Sequence, residues 1–88
     1  MPYRVEITPE GLRHLNRLPA NVRAAVLETI FGTIAENPQR AGKALRGELE
    51  GLCSARRGDF RIVYEIDARA RVVLIHRAQP RRTIYRPR

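Results

Sequence analysis

Residues 52–66 read LCSARRGDFRIVYEI, and the alternation inside this stretch decides the fold. Positions 60, 62, 64 and 66 are Phe, Ile, Tyr and Ile, the two-residue period of a strand with one buried face. Arg61, Val63 and Glu65 therefore point the other way. Gly58-Asp59 is a two-residue connection suited to a tight hairpin, so a strand over 52–57 folds back on one over 60–66. With that pairing in register, Ser54 and Arg56 share the face of Arg61, and Arg57 falls at the turn. A third strand over 71–77 follows the polar turn Asp67-Ala68-Arg69-Ala70. Such short connections force antiparallel neighbours.

Upstream, Tyr3, Val5 and Ile7 alternate with Arg4 and Glu6 and predict another half-buried strand. Thr8-Pro9-Glu10 then supplies an N-cap, a proline at the first helical position and an early acid. The helix that follows runs to about Leu18, with Leu12, Leu15 and Leu18 on its inner side, and Pro19 breaks it. A second helix from about residue 20 turns Val22, Ala25, Val26, Ile30 and Ile34 toward the core until Asn37-Pro38 stops it. Residues 39–51, QRAGKALRGELEG, hold three glycines and mixed charge and read as a loop pinned by Leu45 and Leu49. The chain of 88 residues is one domain, 1–88, of the α+β class. It has an N-terminal strand, a two-helix hairpin and an antiparallel β-meander, with the helices on one face of an antiparallel sheet and the other face open.

Charge locates the working surface. Residues 1–38 balance to zero, whereas residues 39–64 carry a net three positive charges and residues 65–88 a net five, so the whole +8 lies in the second half. Clustered guanidinium groups attract polyanions, and arginine outnumbers lysine sixteen to one; its planar fork holds phosphate oxygens bidentately and stacks on bases. Nucleic acid is the partner class this implies. The single Cys53 excludes an internal disulfide and reads as a small buried hydrophobe. His14 and His76 have no metal-ligand spacing, and no metal or other cofactor is expected. His76 has the parity of Val72 and Leu74 and reads as structural, while Phe60 and Tyr64 belong to the core. No apolar run approaches the roughly 18 residues of a membrane span, and the N-terminus lacks a signal-peptide plan. The expected compartment is the cytoplasm.

The succession SARRGDFRIVYEID at 54–67, preceded by GKALRGELEGL at 42–52 and by LNRLP at 15–19, resembles the RelE/ParE superfamily of toxins from type II toxin-antitoxin pairs, and the actinobacterial RelE-type toxins most. The resemblance covers nearly the whole chain. It implies a toxin neutralised by an acidic RelB-like antitoxin in a hetero-oligomer. For RelE-type members it also implies a metal-independent endoribonuclease that cuts messenger RNA in the ribosomal A site. Matched position by position, Arg61 takes a phosphate-stabilising role, Arg81 that of a second cation or proton donor, and Tyr85 that of a stacking or proton-transferring group. Lys43, Arg46, Arg56, Arg57 and Arg82 are the candidate RNA-binding cations. Better-studied relatives carry lysines where this chain has Leu52, Cys53 and Ser54, so either Arg56 and Arg57 substitute for them or catalysis is weak. Many relatives also place a histidine before the tail arginines, where this chain has Pro80. The other readings are a ParE-like protein that poisons DNA gyrase without catalysis, and a degenerate member that binds only antitoxin or RNA.

Overall fold

The computed structural model describes residues 2–81. Strand β1 (Arg4–Ile7) leads into helix α1 (Pro9–Arg17), whose first turn is closed by the Thr8 hydroxyl accepting from the Gly11 N–H at 2.9 Å. Helix α2 (Ala20–Thr29) follows and continues through a π-helical stretch, Ile30–Ile34. The hairpin between the two helices is fastened by Arg23, which donates to the carbonyls of Leu15 at 3.0 Å and Leu18 at 2.9 Å. These carbonyls lie at the end of α1, where helical donors run out; that of Leu15 also accepts from the Leu18 N–H at 3.1 Å.

A short helix α3 (Pro38–Ala41) and a two-residue strand β2 (Lys43–Ala44) occupy the segment expected to be a loop. Asn37-Pro38 ends one helix and also begins the next: the Asn37 side chain accepts from the Arg40 N–H, and proline takes the first helical position, where its missing N–H costs nothing. After a 3-10 turn (Gly47–Leu49) come β3 (Cys53–Arg57), β4 (Phe60–Asp67) and β5 (Val72–Pro80). Gly58 carries the β3–β4 turn with φ +58°, a conformation that L side chains rarely adopt.

The five strands lie in the order β1-β5-β4-β3-β2. The meander is antiparallel as expected, with Ser54 opposite Val63, Arg56 opposite Arg61, and Arg61 opposite Gln79. The sheet as a whole is mixed, however, because β1 pairs with β5 in parallel, Arg4 opposite Val72 through Ile7 opposite Ile75. The hairpin argument governs only strands joined by short turns, whereas β1 and β5 are separated by most of the chain. Strand β5 also runs three residues past its expected end, to Pro80, where its partner is Phe60. A bulge lies between Val63, paired with Arg77, and Tyr64, paired with Ile75; His76 is the extra residue, with its Nε2 3.0 Å from Glu65 Oε1.

The core lies between the helices and one face of the sheet: Leu15, Leu18, Val26, Ile30 and Ile34 pack on Ala55, Ile62, Tyr64, Val73, Ile75 and Ala78. The expected parity of β4 holds for Ile62 and Tyr64, with Phe60 and Ile66 packed at the margin. Val63, on the other face, is buried as well. The inner stripe of α1 differs from the expected one. Leu15 and Leu18 are buried as expected, but Leu12 is 51% exposed, and Gly11 and His14 are buried in its place. Gly11 sits so close to β5 that a Cβ would lie 2.6 Å from the Ile75 carbonyl oxygen, which turns Gly11 rather than Leu12 toward the sheet. Among the described residues no helix is long and apolar enough to cross a membrane.

Candidate functional site

On the sheet face turned away from α1 and α2, a cavity of about 700 Å³ opens between the α3–β2 arm and the strands. Its cationic lining comes from three separate parts of the sequence: Arg40 and Lys43 on the arm, Arg56 and Arg61 on the β3–β4 hairpin, and Arg81 after β5. Among the described residues no carboxylate lines it. Arg56 and Arg61 are direct cross-strand partners, an arrangement of like charges that is unfavourable unless an anion lies between them.

Each cation is held by a definite local device. Arg61 and Arg56 have the parity expected from the alternation and stand on a two-strand ladder. Arg81 comes within reach of them because its backbone N–H donates to the Asp59 carbonyl at 2.9 Å, tying the end of β5 to the β3–β4 turn. Arg40 and Lys43 depend on how the arm is fastened. The buried Tyr64 hydroxyl donates to the Pro38 carbonyl at 2.7 Å, and Gly42 lies against β3 so closely that a Cβ would stand 2.5 Å from the Ser54 carbonyl oxygen and 2.7 Å from the Tyr64 hydroxyl. Lys43 then pairs with Ser54 in the ladder. Burial, and secondarily Cys53, pushes the Tyr64 phenol well above its ordinary range, so it remains a neutral donor.

The predicted residues thus divide. Lys43, Arg56, Arg61 and Arg81 are brought together. Arg46 is exposed on the loop after β2, outside the cavity lining. Arg57 faces the helices: it donates to the Thr29 hydroxyl at 3.2 Å, and its other terminal nitrogen lies 3.2 Å from Glu28 Oε1. Its partner in the ladder is Phe60, on the core side, so strand parity removes it from the cavity. Arg82 and Tyr85 lie outside the described residues. Arg40 was missed, because a loop reading of 39–51 hid the helical turn that presents it; the Asn37-Pro38 pair followed by a basic residue was the available signal.

The floor of the cavity holds Ser54, only 5% exposed, whose buried hydroxyl has no hydrogen-bond partner among the described residues. The far end of the same face is acidic: Glu6, Glu65 and Asp67 gather there with Arg4. Proceeding along the outward positions of β4, charge therefore changes sign from Arg61 to Glu65. Anions are drawn to one end of the face and repelled from the other.

The five-stranded sheet with its helical hairpin and cation-lined outer face belongs to the class of toxins of the RelE/ParE type. Residues 5–85 match the family described as ParE toxin of type II toxin-antitoxin system, parDE, and the chain belongs to it. Within that family it is a RelE-type toxin. It is 53% identical over 79 residues to the toxin RelE of Mycobacterium tuberculosis, covering 89% of this chain and 81% of that one. To the toxin RelG of the same organism it is 46% identical over 86 residues, covering 98% and 99%. Among solved structures, the toxin-antitoxin complex RelBE2 of M. tuberculosis contains a chain similar at 44% identity with a TM-score of 0.88, covering 92% of this chain and 93% of that one.

Proposed function

We propose that this toxin is a ribosome-dependent endoribonuclease that cuts messenger RNA in the A site and so stops translation. The observation that carries the reading is the cavity itself, in which five cationic side chains and no carboxylate converge among the described residues. In the reaction, the ribose 2′-oxygen forms a bond to the adjacent phosphorus while the bond from phosphorus to the 5′-oxygen breaks. One proton leaves the 2′-hydroxyl and one reaches the departing oxygen, giving a cyclic phosphate and a free 5′-hydroxyl. The crowded, doubly charged phosphorane is what the arginines stabilise. Arg61 and Arg56 grip the phosphate from the sheet, and Arg81 covers the leaving oxygen. Tyr85, placed here from sequence alone, stacks on a base or relays a proton. Arg82 and Arg46 add contacts to the RNA backbone outside the cavity. The chemistry draws on no metal or other cofactor.

An acidic RelB-like antitoxin silences the protein in a cytoplasmic hetero-oligomer, its charge complementary to the basic cavity. The decisive experiment adds the toxin to programmed ribosomes with a defined A-site codon and maps message ends by primer extension. A discrete ribosome-dependent cut is expected, and Arg61→Ala should abolish most of it while leaving the circular dichroism spectrum unchanged and, with the other four cavity cations in place, antitoxin binding nearly intact. Absence of a cut from folded wild-type protein would reject the nuclease and favour gyrase as the target, to be tested by DNA supercoiling.

A further inference from the structure

We propose that the α3–β2 arm forms a second phosphate subsite, so that the cavity takes two consecutive phosphates of a single RNA strand. The scissile phosphate lies against Arg56, Arg61 and Arg81, and its neighbour lies against Arg40 and Lys43. The inference rests on the nuclease reading for the identity of the strand, and on three features of the molecule for the subsite.

The first is charge. One phosphodiester carries a single negative charge, and five cations gather around the cavity without a carboxylate among the described residues. A single phosphate leaves most of the charge of Arg40, Lys43, Arg56 and Arg81 uncompensated. The second is direction. A strand leaving the scissile position across the sheet meets Glu65 and Asp67, beside a Glu6 that Arg4 pairs at 3.0 Å, and the net negative charge there repels its backbone. Toward the β2 edge it meets Arg40 and Lys43. The third is construction. The arm is locked by the Tyr64 hydroxyl on the Pro38 carbonyl, by the close seat of Gly42 on β3 and by the Lys43–Ser54 pairing, so the backbone that presents its cations is fixed before RNA arrives. Between the two groups of cations lies Ser54, whose buried hydroxyl has no partner among the described residues. It becomes available to a phosphate oxygen when the long side chains above it turn toward the strand.

The test uses the isolated chain and uncleavable 2′-O-methyl oligonucleotides of two, three and four residues, carrying one, two and three internucleotide phosphates, titrated by calorimetry at low salt. Wild-type protein should gain about tenfold in affinity from the first step and little from the second, with the salt slope steepening by about 0.7 per phosphate engaged. Replacing the second phosphate by a neutral methylphosphonate should erase the gain. Arg40→Ala and Lys43→Ala should erase it too while leaving affinity for the dinucleotide within about twofold. No gain at the first step, an equal gain at both, retention of the gain in both variants, or no binding of any oligonucleotide would each overturn the subsite. Ribosome cleavage on the same preparations separates the two readings: a cut without the two-phosphate preference rejects the subsite alone, and the preference without a cut rejects the nuclease alone.

Discussion

Tyr64 shows how one buried hydroxyl governs a distant part of the site. It is fully buried, and its donation to the Pro38 carbonyl is the bond beneath the arm that carries Arg40 and Lys43. Tyr64→Phe leaves that carbonyl without a donor, which should cost about 1–3 kcal/mol in urea unfolding; a loss of only a few tenths would show that the bond does not hold the arm. His14 sets a pH dependence. Its Nδ1 accepts the Ala78 N–H at 3.3 Å, so the ring is neutral with its proton on Nε2. Burial holds its pKa below the ordinary 6.5, against the pull of Glu10 and with help from Arg17, Arg77 and Arg13. The unfolded chain then binds the proton more readily than the folded one. The stability from neutral His14 is therefore complete above pH 6.5 and is lost as pH falls from there through the folded pKa. Unfolding midpoints measured from pH 7.5 to 5 should decline, and His14→Gln should flatten the decline. A wild-type profile that is flat over that range would refute the assignment.

At the level of elements, two glycines let backbones meet where no side chain fits. Gly11 seats α1 on β5 and Gly42 seats the arm on β3. At either position alanine forces a shift against main-chain atoms and should cost about 1–3 kcal/mol. For Gly42→Ala the consequence reaches function, because the arm must lift: oligonucleotide binding should weaken more than the loss of stability alone explains, as titration of the fraction that remains folded would reveal. The pattern of apolar residues is enough to read the meander and the helical hairpin, since both follow from local periodicity and short turns. The arm is not readable in that way. A four-residue helix and a two-residue strand have too few residues for a period to show, and β2 exists only because β3 offers it an edge.

Over the whole molecule, charge is sorted twice: along the chain into the second half, and across the outer face into a basic and an acidic end. The first is visible in composition, the second only after β1, β4 and β5 bring Glu6, Glu65 and Asp67 together. Binding of single-stranded RNA should therefore be steeply salt-dependent. With the cavity cations engaged, each one removed should lower the slope of log affinity against log salt by about 0.7. Arg57→Ala should leave that slope unchanged, because its guanidinium is spent on Glu28 and Thr29; a change equal to that of Arg56→Ala would place Arg57 on the RNA.

Sequence by itself determined the α+β class, the antiparallel meander, the outward parity of Arg56 and Arg61 and the family, because each is written in neighbouring residues: a two-residue period, a proline, a glycine turn, a run of matching motif. Only the tertiary structure decided that β1 joins β5 in parallel and that Leu12 yields its buried place to Gly11 and His14. It also decided that Arg40, Lys43 and Arg81 meet Arg61 around one cavity. Those outcomes depend on which surfaces press together across long stretches of chain, and packing of that kind leaves no local period to read.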